Sequence, residues 1–217
     1  MNGKYTKVVD CYSRGARVRL YKMLGLCVGL HDCVYGMDIS QNGEIVKCSE
    51  PACDNDIFAR RTNISTHQRQ VLRRILNAFE NRMNSLDLSR PFSDFDELFE
   101  YVAANSGLTN TKCLLTYDFC LRMGQHLSPV LEPKDYVYLF RGAREGAENI
   151  LGKLPSHVYK LPTGVLQDAL GTTLSSMEIE DLLCVCKDCL KHMGPLSVAV
   201  VQRLFYKYGV TWKIKKV

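Results

Sequence analysis

The chain has 217 residues, 46% hydrophobic and 24% charged, which is enough to bury the core of one large or two small domains and excludes a largely disordered chain. A net charge of +5 is too small to demand a polyanionic partner, so what matters is where the charge sits. No run approaches the roughly 18 apolar residues needed to span a bilayer, and residues 1–22 lack the apolar core and cleavage site of a secretory signal. A cytoplasmic protein with no membrane partner is expected, its 10 cysteines mostly reduced, buried thiols.

Residues 1–25 carry Lys4, Lys7, Arg14, Arg17, Arg19 and Lys22 against Asp10 alone, interleaved with Val8, Val9, Val18 and Leu20. That pattern fits an amphipathic strand or a short helix with a wet basic face. In residues 26–64, Asn42-Gly43 between two apolar runs predicts a small β-hairpin, because both positions tolerate positive φ. Cys27 and Cys33 precede it and Cys48 and Cys53 follow, with His31 nearby. Four thiolates gathered by a hairpin suit tetrahedral zinc, although knuckles usually leave two to four residues between ligands and one of these pairs leaves five.

Residues 60–90 hold seven arginines against Glu80 and Asp87. Ser65-x-x-Gln68 is a capping box, and Leu72, Ile75, Leu76, Phe79, Met83 and Leu86 recur as one buried helix face. Arg69, Arg73 and Arg74 fall on or beside its outer face, where guanidinium groups take phosphate oxygens or the neighbouring carboxylates of Asp94, Asp96, Glu97 and Glu100. Ser93 is the expected cap of the next helix, with Phe95, Leu98, Phe99 and Val102 as its stripe and Asn105-Ser106-Gly107 as its stop. Thr109 or Thr111 can cap the helix after it, in which Cys113, Tyr117, Cys120, Leu121 and Gly124 share a face.

Two helices joined at Ser106-Gly107-Leu108-Thr109-Asn110-Thr111-Lys112 make residues 93–151 resemble the helix-hairpin-helix DNA-binding proteins, including the DNA glycosylase superfamily. The resemblance implies backbone N–H groups offered to a phosphate, with Gly107, Thr109, Thr111 and Lys112 as the contacts. Thr109 departs from the pattern, standing where a second glycine is usual. Glycosylases also place a catalytic Asp beyond a Pro-containing loop, and Asp135 in EPKDYV stands in that place; the lysine nucleophile of the bifunctional members has no counterpart in DELFEYVAAN. LLTYDFCLRMG and VYLFRGAREGA are also similar to segments of uncharacterised bacterial and phage proteins, which carry no activity over.

Val137 and Leu139 read as extended, followed by a helix whose Gly142, Ala143, Gly146 and Ala147 form a thin face for a close neighbour. The same glycines would let a ligand phosphate reach Arg141 and Arg144, although GAREG is neither a P-loop nor a dinucleotide fingerprint. Ser175-x-x-Glu178 starts a helix with Ile179, Leu182, Leu183, Cys186, Leu190 and Met193 on one side. Its Cys184, Cys186, Cys189 and His192 invite a metal, but on a continuous helix Cys184 points away from the others. Gly194-Pro195 predicts a stop and a new start, then a helix through Val198, Val201, Leu204, Phe205 and Tyr208, and a basic tail able to form an edge strand.

The expected fold is mainly α, a multi-helix domain with a central helix-hairpin-helix and a small β-hairpin near the N-terminus. Residues 1–60 would form a Cys-rich segment packed on a helical domain of residues 61–217. Three functions follow: a non-catalytic DNA- or RNA-binding protein using the hairpin and the basic segments, a non-catalytic interaction or scaffold protein, and a base-excision enzyme using Asp135. No cofactor beyond zinc is expected, and a triad or phosphate loop is absent from the sequence.

Overall fold

A computed structural model describes residues 3–15, 37–39, 45–47, 81–83, 85–108 and 110–212. Cys27, His31, Cys33, Cys48, Cys53, Arg69, Arg73, Thr109, the turn at Asn42-Gly43 and the last five residues lie outside them. The chain is mainly helical and divides into two compact units, Val18–Glu132 and a second made of Met1–Arg17 with Pro133–Val217.

The second unit begins with α1 (Thr6–Gly15). Tyr5, Val8, Val9 and Tyr12 are buried at helical spacing, so the helix alternative for the N-terminal basic segment is the one adopted. The Tyr5 hydroxyl donates to the Gly194 carbonyl at 2.8 Å, and Lys4 Nζ donates to Pro195 O at 2.8 Å. Strand β3 (Tyr136–Tyr138) pairs antiparallel with β4 (Lys160–Pro162), Val137 opposite Leu161. Four helices of this unit, α4 (Arg141–Leu151), α5 (Thr163–Leu170), α6 (Ser176–Val185) and α7 (Lys187–Met193), enclose one apolar core with α8 (Val198–Lys207).

Close approach of α4 and α6 fixes the centre of that core. A side chain at Gly146 would place its Cβ 2.1 Å from the Leu183 carbonyl oxygen, so only glycine permits the two backbones to touch. The thin face expected from the small residues is used here, with Ala143, Gly146 and Ala147 all buried. Ser175 and Glu178 form the expected capping box of α6.

The helix from Ser175 does not run through to Met193. It breaks at Cys186 (φ −100, ψ 11), which ends α6 and starts α7. The break turns the Lys187 carbonyl toward Asn149 Nδ2, at 2.9 Å, and it leaves Met193 exposed rather than on the buried stripe. Pro195 is not the first residue of α8, which starts at Val198 after Ser197. Val210–Trp212 form no strand; the Val210 N–H returns to the Phe205 carbonyl at 2.8 Å and Trp212 packs on Phe205.

In the first unit, β1 (Met37–Ile39) and β2 (Ile45–Lys47) pair antiparallel, as the sequence predicts. Their register puts Ile39 opposite Ile45, and the turn between them lies outside the described residues. Residues 81–83 are helical, with Met83 buried. Helices α2 (Phe95–Asn105) and α3 (Leu114–His126) pack together, and Phe95 meets Tyr117 edge to face at 6.0 Å.

Candidate functional site

The turn between α2 and α3 is built from its flanks inward. Asp94, not Ser93, caps α2: its Oδ1 accepts the Glu97 N–H at 2.8 Å, because the aspartate stands three residues before Glu97. Glu97 reaches back to accept the Ser93 N–H at 2.8 Å and the Ser93 hydroxyl at 2.9 Å, and these two bonds hold its carboxyl below the usual carboxylate range. Glu97 also pairs with Arg90, whose guanidinium lies 4.8 Å from the Phe92 ring centre and 4.9 Å from that of Tyr101. The stripe Phe95, Leu98, Phe99 and Val102 is buried as expected.

At the far end, the Ser106 hydroxyl donates to Ala103 O at 3.1 Å and accepts the Leu108 N–H at 3.3 Å, closing the turn locally. Gly107 takes φ 67, the left-handed conformation that glycine adopts without a Cβ penalty. Its open face is covered by an arginine from residues 81–83: a Cβ there would sit 3.2 Å from Arg82 Nε and 3.4 Å from its Cγ. Arg82 is exposed, so the turn presents a guanidinium directly over exposed Gly107. Nothing in the spacing along the chain connects Arg82 with Gly107, so the sequence marks Arg82 only as one of the seven arginines of residues 60–90.

Helix α3 has Cys113 at its N-cap, with no side-chain cap bond. The Thr116 hydroxyl donates to Thr111 O at 2.7 Å, while Lys112 pairs with Glu100 at 2.8 Å, both side chains 39% exposed. An ion pair that open contributes about 0–1 kcal/mol. Gly107, Thr111 and Lys112 thus share one turn.

Arg141 and Arg144 belong to the other unit, at the start of α4. Arg141 is exposed and takes φ 44, a strained value for a residue with a side chain. Arg144 is committed inside the fold. Its Nη1 donates to Val158 O at 2.5 Å, its Nη2 to Leu154 O and Pro155 O at 2.9 Å each, and its Nε lies 3.1 Å from Glu148 Oε1. Asp135 is exposed ahead of β3, and its carbonyl accepts the Thr163 N–H at 2.8 Å.

The cysteine-rich helix string is separated by the break at Cys186. Cys184 and Cys189 are exposed and Cys186 is half-buried. Among the described residues no three His, Cys, Asp or Glu side chains converge as a metal set. Cys120 is fully buried in α3, and burial pushes its thiol well above the ordinary value, so it is an inert core residue.

No family model matches this chain, and no curated protein or solved structure does either. Among the described residues no helix is long and apolar enough to cross a membrane.

Proposed function

We propose that the protein binds nucleic acid without catalysing a reaction, holding a backbone phosphate at the α2–α3 turn. The observation that carries this reading is the exposed Arg82 side chain laid over Gly107, where the missing Cβ lets a guanidinium lie close against the turn and offer its donors to a phosphate oxygen. Lys112 supports it from the same turn, its side chain partly exposed beside Glu100. Of the contacts Gly107, Thr109, Thr111 and Lys112 that the helix-hairpin-helix resemblance implies, all but Thr109 lie among the described residues; Arg82 is added to them and Arg144 is withdrawn into the fold. The cytoplasm, where free thiols stay reduced, is the location this reading assigns.

Titration of a labelled duplex with the full chain tests it. Two phosphate-bound cations predict affinity falling about 25-fold between roughly 50 and 300 mM salt, and Arg82→Ala halving the salt slope. Glu100→Gln removes the carboxylate paired with Lys112 and tightens binding. Affinity that ignores salt, or an Arg82→Ala protein that binds as the parent does, removes the assignment.

A further inference from the structure

Helix α8 buries Val201, Leu204 and Phe205, and its opposite face carries Gln202, Arg203 and Tyr206. Tyr206 is 89% exposed, an unusual place for a ring whose burial would contribute roughly 1.5–3 kcal/mol. Beyond Gly209 the chain folds back, and Trp212 settles edge-on against Phe205 with ring centres 4.5 Å apart. Tyr206 and Trp212 then form two walls of an open, mostly apolar cleft of about 570 Å³, floored by Phe205.

The cleft's own lining carries no charged side chain, and the nearest cations, Arg203 and Lys207, line an adjoining groove together with Asp168. Arg203, three residues before Tyr206 and therefore on the same helix face, is exposed and makes no ion pair among the described residues. Lys207 pairs with Asp168 at 2.6 Å, which satisfies the nearby acid. In sequence, Lys213, Lys215 and Lys216 follow, and the last 15 residues contain no acid. A stiff exposed aromatic ring, a second aromatic wall and an adjacent unpaired guanidinium are the parts that bind unpaired bases and their phosphates together. Bases within a duplex already stack on one another and cannot use such a platform.

We propose that this face binds single-stranded nucleic acid, one base stacking on Tyr206 within the cleft and its phosphate meeting Arg203. The site uses none of the α2–α3 residues and stands whether or not that turn grips phosphate.

Trp212 is the sole tryptophan, so its fluorescence reports the cleft directly in the full chain. A short oligothymidylate is expected to quench it, and a duplex of equal length to leave it unchanged. Tyr206→Ala weakens the single-strand affinity roughly ten- to a hundredfold, Tyr206→Phe keeps it within about twofold, and Arg203→Gln lowers the salt slope by about one. Arg82→Ala leaves this signal intact, which separates failure of this site from failure of the turn. No quenching at about 50 mM salt, or equal affinity in the Tyr206→Ala protein, overturns the proposal. So does a Trp212 signal that follows protein concentration without nucleic acid, since that outcome assigns the face to a second copy of the chain.

Discussion

Helix α4 and the α2–α3 turn each put an arginine beside a glycine, and they use the pair in opposite ways. In α4, Gly146 lies against the Leu183 carbonyl and Arg144 is tied to three backbone carbonyls and Glu148, so both residues hold the fold. In the turn, the described atoms nearest to a Cβ at Gly107 belong to the flexible Arg82 side chain, and Arg82 is exposed. The arginine's role is therefore set by the acceptors that the fold brings within reach, and not by the glycine it lies beside.

The difference can be broken most severely at Gly146. Gly146→Ala forces a methyl into a backbone carbonyl, and α4 and α6 must separate; urea denaturation should show a loss of about 3 kcal/mol. Arg144→Ala leaves the Leu154, Pro155 and Val158 carbonyls short of a donor, and its side chain is only 24% exposed, so a loss of about 2–3 kcal/mol is expected. If Arg144→Ala were as stable as the parent, the contrast between the two arginines would collapse.

Alkaline pH tests the same unit without a substitution. Burial pushes the Tyr5 hydroxyl up to about 12 from its ordinary 10, so the unfolded chain releases this proton before the folded one does. Stability is full below pH 10 and falls as pH rises toward 12, by roughly 2–3 kcal/mol for this group. Tyr12 is shifted in the same direction by its own burial and then by Asp181, so Tyr5→Phe should flatten the decline only in part. At the turn the effects are smaller. Gly107→Ala costs about 1–2 kcal/mol through its positive φ, and Arg82→Ala changes stability by less than about 0.5 kcal/mol while altering duplex affinity.

What the sequence made legible was local. The stripe of α2, the capping box of α6 and the thin face of α4 are set by residues within a few positions of one another, and each is present. What it hid was non-local. The pairing of β3 with Lys160–Pro162 and the whole of α5 depend on chain returning from a distance, and Pro162 and Gly164 argue locally against regular structure there. The break at Cys186 answers to packing around Asn149, which no periodicity shows. The candidate site follows the same division: Gly107 and Lys112 were readable as a turn, whereas Arg82 over Gly107 and the carbonyls around Arg144 exist only once distant segments meet.

The bond from the Tyr5 hydroxyl to Gly194 joins residues 189 positions apart, with Val18–Glu132 lying between as a separate unit. On a ribosome adding about 5–20 residues per second, α1 therefore waits roughly 10–40 s for its partner to be made. For most of that interval Tyr5, Val8, Val9 and Tyr12 lack the core they share, whose other members run from Val137 to Phe205. Nascent α1 is accordingly a window for a chaperone, and one that closes only when the last helices emerge.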